Sequence, residues 1–261
     1  SERPMIALRP MSNSFRTMIR RAALPVFGAL ALAAHAAPAE RGSGYDERPE
    51  VREFLAAFAE EQGFSTRSLL RLFSHVKTQH SAIQAMSAPV VAPPKWFEYA
   101  PRFLNTERIA GGVTFRNTHR AALERAEREY GVPSEVIVAI IGVETAYGRN
   151  IGRYRVLDAL ATLAFDYPRR ADYFREELRQ FLLFTREWKI SPLEPKGSFA
   201  GAMGVPQFMP TSFRRFALDY DADGKIDLWT GMDDVIGSVA NYLWLHGWEK
   251  DRPVLLPASV D

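Results

Sequence analysis

The stretch SEVIVAIIGVETAYG, residues 134–148, constrains the fold more than any other part of the chain. Gly131 closes a preceding helix and Pro133 opens this one. Val136, Ile137, Val138, Ala139, Ile140, Ile141 and Val143 leave it almost no polar face. A helix that is apolar all round belongs inside a core, so this segment is expected to be central, with other helices packed about it. Glu144, near its end, is the anomaly. Burying an ionised carboxylate is expensive, so its pKa is expected to rise. A carboxylic acid that stays protonated near neutral pH can donate to a leaving oxygen, as a glycosidase acid must. The plainer alternative is that Glu144 caps the next loop or pairs with Arg149 or Arg153.

The rest of the chain reads as mainly α. From Val51 the helical period runs through Phe54, Leu55, Phe58 and Phe64 to Leu69, Leu70, Leu72, Phe73 and Val76, with Gly63 and Ser65 as stop and N-cap signals. A Pro-rich break at 86–95 precedes the aromatic cluster Trp96, Phe97, Tyr99 and Phe103. One amphipathic helix is expected over 114–130, further helices over 156–164 and 171–188, and a last one from Asp234 to His246. A Pro/Gly/Ser-rich loop fills 190–213 and ends in a short helix. The single strand candidate is 253–257. With 47% hydrophobic and 25% charged residues, the chain suits a globular protein and not a disordered one.

Residues 16–36, RTMIRRAALPVFGALALAAHA, place three arginines before an apolar run and the small-x-small signal Ala34-His35-Ala36. That is the order of a secretory signal, and the apolar run is too short to cross a bilayer. Cleavage is expected after about Ala36, with translation starting at Met11 or Met18. Residues 1–36 are thus an upstream extension plus signal, and 37–49 a polar linker. The net charge of +2 belongs to that signal. Removing 1–36 takes away five arginines and one glutamate, leaving 28 basic residues against 30 acidic, or −2. Such a chain is not a nucleic-acid binder. The absence of cysteine excludes disulfides, thiolate metal sites and lipid attachment through cysteine. The five histidines are scattered without ligand spacing, so no zinc site is expected.

Two further segments carry chemistry. In KGSFAGAMGVPQFMP, residues 196–210, small residues let backbone approach a ligand, Ser198 and Gln207 supply hydrogen bonds, and Phe208 supplies a flat apolar face. A buried structural loop fits the same residues equally well. DYDADGKID, residues 219–227, matches the start of an EF-hand loop, with oxygens from Asp219, Asp221 and Asp223, Gly224 at the turn, and the Lys225 carbonyl. Thr230 stands where the usual bidentate Glu would be, so Asp233 or Asp234 is expected to supply the last carboxylate from a longer loop. Calcium is preferred, because converging carboxylates repel without a cation. Arg169 and Arg170, after Tyr167-Pro168, either bind an anion or cap a helix.

Five blocks occur in order: YGVPSEVIVAIIGVETAYGRNIG, LDALATLAFDYPRRADYF, KGSFAGAMGVPQFMPTSF, DADGKIDLW and GSVANYLWLHGW. Together they resemble the lytic murein transglycosylase B family, glycoside hydrolase family 103, from about Phe54 to Trp248. The resemblance implies a lysozyme-like helical core (96–261) with an N-terminal helical region (50–95) and an EF-hand-like calcium loop. It implies a periplasmic lyase that cleaves the β-1,4 bond from N-acetylmuramic acid to N-acetylglucosamine in peptidoglycan, leaving 1,6-anhydro ends. Glu144 matches the family's single catalytic acid and base. Ser198 and Gln207 match sugar-site positions, and Tyr99, Phe208, Arg169, Arg170 and Tyr242 match other groove positions. Structural Ca2+ is the implied cofactor, with no organic one, and glycan strands are the implied partner. Partners in cell-wall synthesis or remodelling stay open, as does the choice between Asp233 and Asp234. The family's closing segment, with a Tyr-Asn pair and a further Tyr, has no counterpart after Trp248. A fragment, or an open groove with weakened activity, is therefore expected. A catalytically impaired peptidoglycan binder and a hydrolytic muramidase are the rival readings.

Overall fold

The computed structural model describes residues 42–88 and 94–254. The expected signal segment lies outside the described residues, as does most of the strand candidate at 253–257, of which Pro253 and Val254 are not in a strand. The described chain is mainly helical, as expected: α1 (Pro49–Gln62), α2 (Thr66–Phe73), α3 (His80–Ser87), α4 (Trp96–Tyr99), α5 (Thr106–Thr118), α6 (Arg120–Tyr130), α7 (Ser134–Thr145), α8 (Val156–Asp166), α9 (Ala171–Glu187), α10 (Pro210–Phe216) and α11 (Met232–Leu245). Two short strands that the sequence did not signal, β1 (Tyr154–Arg155) and β2 (Lys196–Gly197), pair antiparallel, Tyr154 opposite Gly197.

Local signals set several boundaries. Gly63 takes φ 68° and ends α1 with its N–H on the Ala59 carbonyl, and the Ser65 side chain accepts from the Ser68 N–H to start α2. The single helix expected over 114–130 is instead two, α5 and α6, divided at His119. The break lets each half face its own partner: α5 buries Gly112 and Phe115 and packs on α7, whereas α6 buries Ala122, Leu123 and Ala126 and packs on α11.

The central helix is α8, not α7. Every residue from Val156 to Ala164 is buried, with α9 along its side. By contrast α7 buries Ile137, Val138, Ile141, Gly142 and Thr145 but leaves Glu135, Ala139, Val143 and Glu144 exposed. Its neighbours α5, α6 and α11 cover only one side.

A buried helix must satisfy its polar side chains internally, and α8 does so at intervals of four residues. Asp158 accepts from the Lys77 N–H at 3.1 Å and from Arg155 Nη2 at 2.6 Å. Thr162 Oγ1 accepts from the Gln79 N–H at 3.0 Å. Asp166 receives the Tyr45 hydroxyl and, at 2.7 Å, the Arg48 guanidinium. This stripe holds residues 42–49 and the 77–79 segment against the core, so 42–49 is not a linker. Tyr45 is fully buried, and burial, reinforced by the Asp166 carboxylate, pushes its phenol up to about 12. One buried apolar cluster runs from Tyr45 to Ala240, so the boundary expected near residue 95 does not separate two cores. Tyr45→Ala should therefore lower the unfolding free energy by about 3–5 kcal/mol in urea titration, as for other buried aromatic truncations.

Candidate active site

Glu144 lies one residue before the end of α7, and the chain around it is held from three sides. Thr145, which is buried, donates from Oγ1 to the Val205 carbonyl at 2.9 Å and accepts from the Gly148 N–H at 3.1 Å. Arg108, from α5, donates to the Gly142 carbonyl and, at 3.4 Å, to the Val143 carbonyl. Both carbonyls lie in the last turn of α7, where intrahelical partners run out, and the Gly142 carbonyl also accepts from the Ala146 N–H at 3.1 Å. The next two residues, Ala146 and Tyr147, take φ of 51° and 63°, a left-handed conformation costing of order 1–3 kcal/mol at each non-glycine position. That turn sends the Tyr147 ring back against α7 and α5. A Cβ on Gly111, Gly112 or Gly142 would come within 2.6–3.0 Å of Tyr147 atoms, and the phenol donates to the Arg108 carbonyl at 2.9 Å.

The Glu144 side chain is exposed rather than buried as expected, next to Val143, which is 48% exposed. Its carboxyl is nonetheless held above the usual carboxylate range by desolvation, with no charged neighbour contributing. Water reaches the group while protein crowds it. The pairing with Arg149 or Arg153 is not made: Arg149 pairs with Glu107 at 2.6 Å. Among the described residues the Glu144 carboxylate has no hydrogen bond or ion pair.

The 196–208 loop is fastened to the segment that follows Glu144. Gln207 donates from Nε2 to the Ile151 carbonyl at 3.2 Å and to the Gly204 carbonyl at 2.8 Å, and its backbone is left-handed, φ 53°. A Cβ on Gly152 would collide with the Gly197 carbonyl, so glycine there permits the two backbones to touch. Ser198 Oγ accepts from the Ala200 and Ala202 N–H groups at 3.2 and 3.0 Å, which leaves its hydrogen to donate. Phe208 is not an open platform. Its ring is 7% exposed and packs 5.5 Å from Tyr242, because the chain bridges at Met203 and Phe208 and turns this side chain inward.

Of the remaining groove candidates, Tyr99 is connected to the same helix end. Its ring lies 5.1 Å from Phe103, over which the Arg108 guanidinium sits at 5.4 Å. Tyr242 is half-buried on α11, stacked on His246. Arg169 and Arg170 are exposed in the turn before α9, with Arg170 over the Tyr173 ring at 4.2 Å. Among the described residues no contact joins them to Glu144. Sequence reading passed over Arg108 and Tyr147. The signal was there in Gly111-Gly112, an adjacent glycine pair inside a helix, where glycine is unfavourable without a close approach.

The acidic loop gathers its carboxylates as its pattern suggests. Oxygens of Asp219, Asp221 and Asp223 all lie within 4.8 Å of one another. Calcium–oxygen bonds of about 2.3–2.6 Å span that separation, so the donor set fits the ion. Asp219 and Asp221 accept from the Asp223 N–H, and Asp223 from the Lys225 N–H. Of the two carboxylates left open, Asp234 is the one turned to the loop. It is buried and accepts from the Tyr220 and Asp227 N–H groups at 2.6 and 2.8 Å. Asp233 makes no such contact. Burial, with the Asp221 charge adding, pushes the Asp234 carboxyl up against the pull of those amides.

The transglycosylase SLT domain family matches residues 46–261. The membrane-bound lytic murein transglycosylase B of Escherichia coli (strain K12) is 44% identical over 229 residues, 84% of this chain and 63% of that protein. The chain thus spans less than two thirds of that relative's length. Among solved structures, the soluble lytic transglycosylase SltB1 from Pseudomonas aeruginosa is 53% identical with a TM-score of 0.77, covering 79% of this chain and 69% of its own. The Escherichia coli lytic transglycosylase Slt35 in complex with calcium is 44% identical with a TM-score of 0.76, covering 82% and 68%.

Thr145→Val keeps the side-chain shape but orphans the Val205 carbonyl and the Gly148 N–H. It should cost about 1–3 kcal/mol, read as a lower denaturant midpoint at unchanged slope.

Proposed function

The chain belongs to the transglycosylase SLT domain family, and on that premise we propose that it cleaves peptidoglycan glycan strands as a lytic transglycosylase with Glu144 as its single acid and base. The observation that carries this is the state of Glu144: reachable by water, desolvated, and without a charged partner. A two-carboxylate glycosidase places its second carboxyl within about 5–9.5 Å. Desolvation is what raises the Glu144 carboxyl, and among the described residues it has no hydrogen-bonded or ion-pair partner, which supports a single acid and base.

One carboxyl then does both jobs. Protonated Glu144 donates to the glycosidic oxygen as C1 of the muramoyl residue becomes oxocarbenium-like. The substrate's own 2-acetamido oxygen stabilises C1, the substrate-assisted alternative to a second carboxylate. The Glu144 carboxylate next takes the proton of the C6 hydroxyl, whose oxygen closes on C1 to give a 1,6-anhydro end. The proton lost in the first step is regained and no water is consumed. Ser198, with its hydroxyl hydrogen free to donate, and Gln207, with its amide held on Ile151 and Gly204, line the sugar site. Tyr99 and Tyr242 flank it, and Arg169 and Arg170 act as more distant groove cations.

Asp219, Asp221, Asp223, the Lys225 carbonyl and Asp234 would hold a calcium ion. When bound it would neutralise the converging carboxylates and order the loop before α11. Export to the periplasm rests on the signal pattern at 16–36. Among the described residues no helix is long and apolar enough to cross a membrane.

Digestion of purified sacculi followed by mass spectrometry of the chain ends tests the reaction. Anhydro ends are expected, reducing ends would point to a hydrolytic muramidase, and binding without products to an impaired binder. Glu144→Gln should slow release by roughly 10²–10⁴-fold while retaining binding. Because the Glu144 pKa is raised, the proton-donating form persists above the ordinary carboxylate range. Activity should be full below that elevated pKa and fall as pH rises through it. Calcium added after thorough chelation should raise the Tm, and Asp221→Asn with Asp223→Asn should abolish the rise.

A further inference from the structure

Three features around Glu144 have no role in the reaction as described: a left-handed turn at Ala146 and Tyr147, a notch of three glycines, and an arginine spent on backbone carbonyls. They form one closed loop of contacts. The Tyr147 ring fills a notch where a Cβ on Gly111, Gly112 or Gly142 would strike it. Its phenol donates to the Arg108 carbonyl at 2.9 Å. The Arg108 guanidinium returns to the carbonyls of Gly142 and Val143, the two residues that lead into Glu144. Two sides of the loop are hydrogen bonds and the third is ring against glycine, and Glu144 sits on its rim.

The arrangement answers a physical problem. A carboxylate near a helix C-terminus meets the negative end of the helix dipole, and the last turn of a helix frays most readily. Glu144 suffers both, with its own carboxylate unpaired. A guanidinium donating to the terminal carbonyls opposes the fraying without taking the carboxyl as a partner, so the acid remains free. An aromatic ring under the same turn blocks the alternative of unwinding, since the backbone can only loosen by withdrawing the ring from the notch.

We propose that Arg108 and Tyr147 are positioning residues that lock the last turn of α7 and thereby hold the Glu144 carboxyl in its reactive place. Neither touches the reacting atoms in this assignment. The inference rests on the lytic transglycosylase reading of the site, and it deepens that reading by naming what fixes its acid.

The test measures kcat and KM on soluble glycan strands, together with the titration of Glu144 by carbon NMR of labelled glutamate, assigned against Glu144→Gln. Tyr147→Phe leaves the ring in its notch and removes only the hydroxyl. Gly142→Ala improves helix propensity while displacing the ring. Arg108→Gln removes the charged fork, and Arg108→Lys restores a cation. The expected result is a kcat reduced about 10–100-fold in the first three, KM within about twofold, and partial recovery in Arg108→Lys. In the same variants the raised titration of Glu144 should relax toward the ordinary carboxylate range as the side chain gains water. Unchanged kcat with an unchanged titration would overturn the proposal, as would a loss of rate explained by the unfolded fraction alone. A wild type that releases no anhydro product would sink the transglycosylase reading instead, and the NMR titration would then decide the positioning claim without it.

Discussion

Burial of α8 on all its faces is the constraint from which the rest of the molecule follows. Apolar residues there need neighbours on every side, and α9 supplies one wall. The polar residues need partners that water cannot provide, since an unmet buried group costs about 1–3 kcal/mol. Asp158, Thr162 and Asp166 find theirs in Lys77, Gln79, Tyr45 and Arg48. The N-terminal region is therefore bound to the core by the same groups that would otherwise destabilise it. Because β1 leads directly into α8 and pairs with β2, the position of the 196–208 loop is set from this helix as well.

The site departs from local comfort where the core does not. Left-handed φ at Ala146, Tyr147 and Gln207, and a desolvated carboxyl without a partner at Glu144, are each unfavourable in isolation. They persist because surrounding contacts determine them several times over: Thr145 on Val205, Gln207 on Ile151, and Tyr147 on Arg108. Strain of this kind concentrates where a group must be held in a disfavoured but useful state. The acidic loop shows a related tension, with three like charges converging and a fourth carboxylate, Asp234, buried beneath them.

Much of this was legible in the residues, and unevenly so. Gly63, Ser65 and Gly131 marked helix ends correctly because capping is a local matter, decided by a few neighbouring atoms. The convergence of the Asp219, Asp221 and Asp223 carboxylates was equally readable, since all three lie within one short segment. Reading failed where two alternatives share a pattern. An all-apolar helix and a helix with one open apolar face look alike in sequence, so α7 reads as central although α8 is. A Phe in a glycine-rich loop can be platform or core, and Phe208 is core. The polar stretch at 42–49 resembled a linker because the partners of Tyr45 and Arg48 lie more than a hundred residues away.

The sequence by itself determined a mainly helical chain, the family, the unusual carboxyl at Glu144 and the carboxylates of the acidic loop. The family follows from the resemblance of five ordered blocks, and the others depend on residue type and short spacing. Only the tertiary structure decided which face of α7 is open, that Asp234 rather than Asp233 turns to the loop, and that Arg108 and Tyr147 close around the end of the Glu144 helix. Those outcomes depend on which distant surfaces meet. A pattern of local preferences leaves that undetermined until the chain is packed.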